Sequence, residues 1–184
     1  MVDVKVGKGE DGAWKCKAEV GGKTCNSATV WLADDDDDDD GHATDGIEGL
    51  LSPGDCSVLR VTAYHDELTA KGSGLSAVTL LRWCERARTD MIGGPDAISR
   101  GLKEGVAVVV AKTSLDLTNK SLEPGELMEV RSKAKVRGGR IAEFRHEVWH
   151  ADSGLLASAD VACVATATKT GQSSRFLTWM TEGF

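Results

Sequence analysis

Two adjacent acids, Asp66 and Glu67, precede a short loop and an amphipathic helix that begins near Leu75. The loop contains three small residues, Gly72, Ser73 and Gly74. Backbone N–H groups at the start of a helix point out of its end and carry a partial positive charge. A thioester carbonyl held there is polarised, and a nearby carboxylate can activate water or attack the carbonyl carbon. This spacing therefore favours acyl-transfer chemistry, with the loop glycines letting a substrate approach the backbone closely.

The helix carries a second, more specific signal, the run Leu81-Arg82-Trp83-Cys84-Glu85-Arg86-Ala87-Arg88. Together with the strand pattern after it, this run resembles the hot-dog-fold acyl-CoA thioesterases of the 4-hydroxybenzoyl-CoA thioesterase group, over residues 57–170. That family reads Asp-x-Asp-x-x-Gly-x-x-x-x-Ala and then Tyr-Leu-Arg-Trp-x-Glu-x-Ala-Arg. The resemblance implies an α+β hot-dog fold, in which an antiparallel sheet wraps around one long central helix.

The same resemblance implies an activity and its partners. The substrate would be an acyl-CoA or an acyl-carrier protein, hydrolysed to free acid and thiol without a metal or redox cofactor. At least a homodimer, or a homotetramer, is implied, with the sites at the interface between subunits.

The acidic loop departs from the family pattern. Counted back from Gly72, the catalytic aspartate of the family falls on Thr69, which is not a carboxylate. Glu67 corresponds to the first acidic position of the family and is the first candidate, with Asp66 second. Thr69 could orient a water, or act as a nucleophile with His65 as its base.

The departure leaves two further functions open. The chain could be a non-catalytic hot-dog protein that binds an acyl ligand or serves as a subunit of a larger assembly. A hot-dog dehydratase is a weaker alternative, because that chemistry uses a histidine near the helix and this helix has none.

Glu85 is a substrate-site candidate because some hot-dog thioesterases place their carboxylate on this helix. The alternative is a structural ion pair with Arg82 or Arg88, each three residues away. A row of basic residues could bind the phosphates of coenzyme A or the acidic arm of a carrier protein, or could be a solvated outer face. The row consists of Arg131, Lys133, Lys135, Arg137 and Arg140.

Element patterns indicate how these residues are positioned. Residues 1–33 predict a β-hairpin extension, residues 34–56 an acidic and glycine-rich linker, residues 57–170 the main domain and residues 171–184 a tail. The helix is expected from Leu75 to Ile92, with an apolar face of Ala77, Leu80, Leu81, Cys84, Ala87 and Met91. The unbroken apolar run of residues 106–111 suggests a central strand buried on both faces. Alternation over residues 128–137 indicates a strand with one wet, basic face.

Composition and residue spacing argue against several classes of function. The net charge of −7 equals the seven acids of residues 34–40, so the remaining 22 acids balance the 22 bases and leave no footprint for nucleic acid. No apolar run approaches the roughly 20 residues that span a membrane. No CxxC pair occurs, and His146 and His150 are too far apart along a strand to share a metal. The expected location is cytoplasmic, or an organelle matrix or stroma after removal of a transit peptide.

Overall fold

Three strands near the N-terminus form a small antiparallel sheet. In this computed structural model, which describes residues 2–8, 14–20, 23–30, 49–68, 74–118 and 120–184, they are β1 (Val2–Lys8), β2 (Trp14–Val20) and β3 (Lys23–Val30). Their spatial order is β1-β2-β3. The predicted hairpin corresponds to the β2–β3 pair, and β1 adds a strand that the sequence pattern did not indicate.

The larger sheet has five antiparallel strands in the spatial order β4-β6-β7-β8-β5. These are β4 (Ser57–Thr62), β5 (Val106–Leu117), β6 (Leu127–Arg137), β7 (Ile141–His150) and β8 (Gly154–Ala167). Between β4 and β5 the chain forms α1 (Ala77–Met91) and α2 (Pro95–Lys103), and short 3₁₀ helices cover His65–Glu67 and Thr178–Met180. α1 lies on one face of the sheet and contacts β4, β6, β7 and β8. This arrangement confirms the predicted α+β hot-dog fold. None of the described helices combines the length and the apolar character needed to cross a membrane.

The side chains of strand β6 alternate between the two faces of the sheet. Met128, Val130 and Ser132 are buried on the side of α1, whereas Lys133 and Lys135 are exposed on the other side. Successive side chains of a strand point to opposite faces, so one apolar row is enough to fix the strand's orientation. The predicted alternation along this strand is confirmed.

Helix α1 begins after Ser76, whose hydroxyl oxygen accepts the Thr79 backbone N–H at 3.1 Å. Its buried stripe consists of Thr79, Leu80, Trp83, Cys84 and Ala87. The expectation that Ala77 and Leu81 belong to this stripe is wrong, since Ala77 is exposed and Leu81 is 40% exposed, whereas Trp83 is fully buried. Residues three and four apart share a helix face, so a stripe through positions 80, 83, 84 and 87 leaves position 81 on its flank.

The end of α1 follows the predicted glycine signal. Gly93 and Gly94 both have positive φ, at 102° and 84°, a conformation that residues with a Cβ rarely adopt. Pro95 then starts α2, where its missing N–H would be unpaired in any case.

Strand β5 corrects a second expectation. It pairs with β8 and with no other described strand, so it forms an edge of the sheet. Val108, Val109 and Val110 are 38%, 45% and 37% exposed, and a strand buried on both faces is therefore the wrong interpretation of residues 106–111. An unbroken apolar run indicates a covered strand, and the cover here is partial: β3 lies close to β5 without a ladder to it, and the three valines stay exposed.

Residues 171–184 pack back onto the domain. Met180 is 1% exposed and joins a small cluster with Val106 and Ala165. The Phe184 ring meets the Phe144 ring edge-on with centroids 5.3 Å apart. The segment predicted as a tail thus covers the end of the space between α1 and the sheet.

Replacing Trp83 tests whether α1 is anchored by this side chain. We expect Trp83→Ala to lower the free energy of unfolding by about 3–5 kcal/mol, because a large buried side chain is lost and a cavity remains. Urea denaturation measures the change. Arg82→Ala, at an exposed position one residue earlier, should stay within about 0.5 kcal/mol of the parent. Equal losses for the two variants would contradict the burial of Trp83.

Candidate active site

The two acids of the loop have different surroundings. Both lie in the short 3₁₀ helix after β4, where Asp66 is exposed and Glu67 is half-buried. One carboxylate oxygen of Glu67 accepts the Tyr64 backbone N–H at 3.1 Å, and the other accepts the Trp83 indole N–H at 3.3 Å. The Thr79 hydroxyl donates to the Glu67 carbonyl oxygen at 2.5 Å. Glu67 therefore joins the loop to α1, while Asp66 faces solvent.

The loop itself is described only at its ends. Thr69, Gly72 and Ser73 lie outside the described residues, so their predicted roles stay predictions. Leu68 and Leu75 form an isolated antiparallel bridge, which brings the two ends of the loop together. Gly74 has a φ of 103°, and a Cβ there would lie 3.5 Å from the Lys120 carbonyl oxygen.

A cavity of about 180 Å³ lies beneath the C-terminal half of α1. Its walls come from α1, α2, β5 and the segment 171–184. The lining is mostly apolar and includes Ile92, Val106, Phe144, Phe176, Met180 and Phe184. Such a space suits a small apolar group, since a dry cavity of roughly 150 Å³ holds a benzene ring.

Two charged side chains of α1, Glu85 and Arg88, also line this cavity. Glu85 is exposed and borders a second, outer groove as well, so its carboxylate lies at the rim. The ion pair expected between Glu85 and Arg82 or Arg88 is wrong: the described residues show no such pair within 4.0 Å. Residues three apart on a helix can pair, but Arg88 instead turns inward, 6.0 Å from the centre of the Phe144 ring.

A buried polar pair lies on the same side of the sheet. His146 is fully buried, and its Nδ1 lies 2.7 Å from the Ser132 hydroxyl oxygen on the neighbouring strand. Burial, together with the nearby charges of Arg88 and Arg145, lowers the pKa of His146 to about 3. The imidazole is therefore neutral at physiological pH. Because it is closed to solvent, it serves as part of the core.

Two cysteines, one on α1 and one on β8, are equally inert. Cys84 and Cys163 are buried, and burial raises the pKa of the Cys84 thiol to about 12. Burial also raises the pKa of the Cys163 thiol. A nucleophilic cysteine needs its thiolate form, so neither thiol is suited to attack a carbonyl.

The basic row lies on the opposite face of the sheet from α1. Arg131 donates to the Leu51 carbonyl oxygen at 3.2 Å, pairs with Glu129 at 3.3 Å and lies 4.4 Å from the Trp149 ring. Arg137 pairs with Glu143 at 2.8 Å. The remaining members, Lys133, Lys135 and Arg140, are exposed. A phosphate-binding role for the row stays a prediction, and two of its five members already have carboxylate partners.

Sequence reasoning singled out Glu85 among the cavity-forming residues but assigned no site role to Arg88, Phe144 or Phe184. Arg88 and Phe144 are far apart in sequence, and Phe184 lies outside the region of family resemblance. A weak signal was available for Arg88, which lies one helical turn after the buried Cys84. Within the described residues, no group of three or more His, Cys, Asp or Glu side chains is placed to hold a metal ion.

Comparison with solved structures agrees with the fold described above. No family model matches the sequence, and no curated protein matches it. Among solved structures, the chain is similar to a 1,4-dihydroxy-2-naphthoyl-CoA thioesterase from Synechocystis, with 15% identity and a TM-score of 0.60 over 68% of this chain and 93% of that one. A DHNA-CoA thioesterase from Staphylococcus aureus gives 17% identity and a TM-score of 0.57, over 65% and 79% of the two chains. A protein from Thermus thermophilus gives 22% identity and a TM-score of 0.58, over 69% of this chain and 95% of that one. At these identities the likeness establishes the hot-dog fold.

The buried histidine makes stability depend on pH. The folded-state pKa of His146 is about 3 against an ordinary value of 6.5, so the unfolded chain binds the extra proton between these values. Stability should therefore fall as pH decreases from 6.5 toward 3, with this group contributing up to about 1.4 kcal/mol per pH unit.

Urea denaturation between pH 7 and pH 4 measures this slope. His146→Gln should show a shallower slope than the parent chain, because the titrating group is gone. His65→Gln, at an exposed position, should keep the parental slope. A His146→Gln slope identical to that of the parent chain would show that the histidine is not buried in its neutral form.

Proposed function

We propose that the chain hydrolyses an acyl thioester of coenzyme A or of an acyl-carrier protein. The observation that carries the proposal is the Glu85 carboxylate, which has no described ion-pair partner and lies at the rim of an apolar cavity beneath the central helix. Thioester hydrolysis requires a carboxylate that activates water or attacks the carbonyl, and a place for the acyl group. The structural likeness to thioesterases supports the same chemistry.

Glu85 is a better candidate for the reacting carboxylate than Glu67. Both oxygens of Glu67 already accept hydrogen bonds from Tyr64 and Trp83, and the side chain faces α1. Glu85 has no such bonds among the described residues and borders the apolar cavity, which could hold an acyl group. In this proposal Glu67 positions the loop, and Glu85 acts on the thioester.

Helix geometry then favours a site built from two subunits. Glu85 lies eight positions after Ala77, about 12 Å along the axis, so one carbonyl group cannot contact both Glu85 and the start of the same helix. The amides of residues 72–74, the predicted oxyanion donors, would reach the substrate from a second copy. Strand β3 lies close to β5, and the exposed valines of β5 offer that copy an apolar contact surface.

Single substitutions distinguish the acids. We expect Glu85→Gln to reduce turnover of its best acyl-CoA by about a hundredfold or more, because the carboxylate takes part in the chemical step. Glu67→Gln should lower the melting temperature and leave turnover within about tenfold, because it removes a positioning contact. Asp96→Asn, an exposed acid on α2, is the control and should match the parent chain.

Release of free thiol from short, long and aromatic acyl-CoAs measures turnover. A large loss for Glu67→Gln with none for Glu85→Gln would transfer the role to the loop acid. If the parent chain releases no thiol from any of these acyl-CoAs, the non-catalytic acyl-binding function would be favoured instead.

The subunit arrangement has its own test. Val109→Lys places a charge at the edge of β5 and should weaken self-association by about tenfold or more, since a lysine there must be desolvated on pairing. Light scattering after size-exclusion chromatography measures the molar mass against concentration. Ile141→Lys, at an exposed position of β7, should leave the mass unchanged. A parent chain that stays monomeric at high concentration would contradict the arrangement.

A further inference from the structure

The cavity beneath α1 contains an unbalanced positive charge. Arg88 is the only cation among the described residues that line it. Its Nη1 atom is closed to solvent and has no hydrogen-bond partner among the described residues. A charged group removed from water is unfavourable unless an opposite charge or hydrogen-bond acceptors replace the water.

The neighbours of Arg88 do not supply that compensation. The Phe144 ring, 6.0 Å from the guanidinium, offers a weak cation–π contact. Cys84 and Cys163 remain protonated thiols, and His146 is neutral. Glu85 lies one helical turn earlier, at the rim, without an ion pair to Arg88. Arg88 Nη1 thus lacks an acceptor among the described residues, and an anion bound in the cavity would supply one.

We propose that the cavity takes a small acyl group that carries a carboxylate, and that Arg88 binds this carboxylate. The inference rests on the proposed thioester hydrolysis for the identity of the acyl group. The apolar walls accept the carbon skeleton, and the guanidinium offers planar paired donors that match a carboxylate. The volume of about 180 Å³ limits the skeleton to about one ring or a short chain.

Binding of simple acids tests the proposal without any thioester. Benzoate and pentanoate are compared with the neutral isosteres benzamide and pentanamide by titration calorimetry on the full chain. The parent chain should bind each acid about tenfold more tightly than its amide, because only the acid forms a charge-assisted pair. Arg88→Gln should reduce this preference to twofold or less, whereas Arg82→Gln, on the exposed flank of the same helix, should retain it.

A second variant keeps the test decisive if Arg88→Gln does not fold. Val108→Phe fills the cavity from β5 and leaves Arg88 in place, so it should abolish acid binding. Equal binding of acid and amide, no binding of either, or a preference that survives both Arg88→Gln and Val108→Phe would overturn the proposal. None of these binding measurements depends on turnover, so the absence of hydrolase activity can be distinguished from the absence of anion binding.

Comparison of two thioesters locates the carboxylate in an active enzyme. If it belongs to the acyl group of the substrate, the parent chain should hydrolyse glutaryl-CoA with a higher kcat/KM than pentanoyl-CoA, and Arg88→Gln should remove the difference. If Arg88 binds the carboxylate of the released acid, the two thioesters should be hydrolysed equally while pentanoate inhibits the parent chain and not Arg88→Gln. The second result would overturn the assignment to the acyl group of the substrate.

Discussion

The fully buried indole of Trp83 holds the central helix and the loop before it in one arrangement. A buried indole N–H needs an acceptor, and here it donates to the Glu67 carboxylate at 3.3 Å. The same carboxylate accepts the Tyr64 N–H, and the Thr79 hydroxyl binds the Glu67 carbonyl oxygen. The apolar driving force that buries the tryptophan therefore also fixes where the loop ends and the helix begins. Glu85, two turns further along α1, takes its position from that junction.

The two faces of the sheet satisfy their polar groups in different ways. On the face toward α1, Ser132 and His146 pair with each other inside the core. On the outer face, the buried Glu147 carboxylate accepts the Leu51 backbone N–H at 3.0 Å and the Trp149 indole N–H at 2.9 Å. This contact places Leu51, which is 5% exposed, over the outer face. The described apolar cavity, with Glu85 and Arg88 in its lining, lies on the helix side, which is where an acyl group would be sheltered from bulk solvent.

Periodicity and family resemblance were sufficient to predict the fold, including the central helix, the antiparallel meander and the alternation of side chains along β6. They were not sufficient for features that depend on distant neighbours. The valines of β5 have the composition of a central strand, and only the sheet order shows that β5 forms a ladder with β8 alone among the described strands. Leu81 is as apolar as Trp83, and the direction of the sheet decides which of them is buried. For the site, the acids were found by type and spacing, but the cavity is formed by segments separated by up to a hundred residues, which a local pattern cannot detect.

The charges of the cavity favour one kind of ligand. Glu85 and Arg88 lie three residues apart, so their Cβ atoms are about 5–6 Å from each other, yet they do not pair. One faces the rim and the other the interior, which gives a small apolar space a negative entrance and a positive inner wall. A long hydrocarbon chain would bury the guanidinium without compensating its charge. A short acyl group with its own negative charge compensates Arg88 and, because like charges repel, keeps that charge away from Glu85. Such a ligand would therefore enter with its thioester toward the helix rim and its acidic end inward.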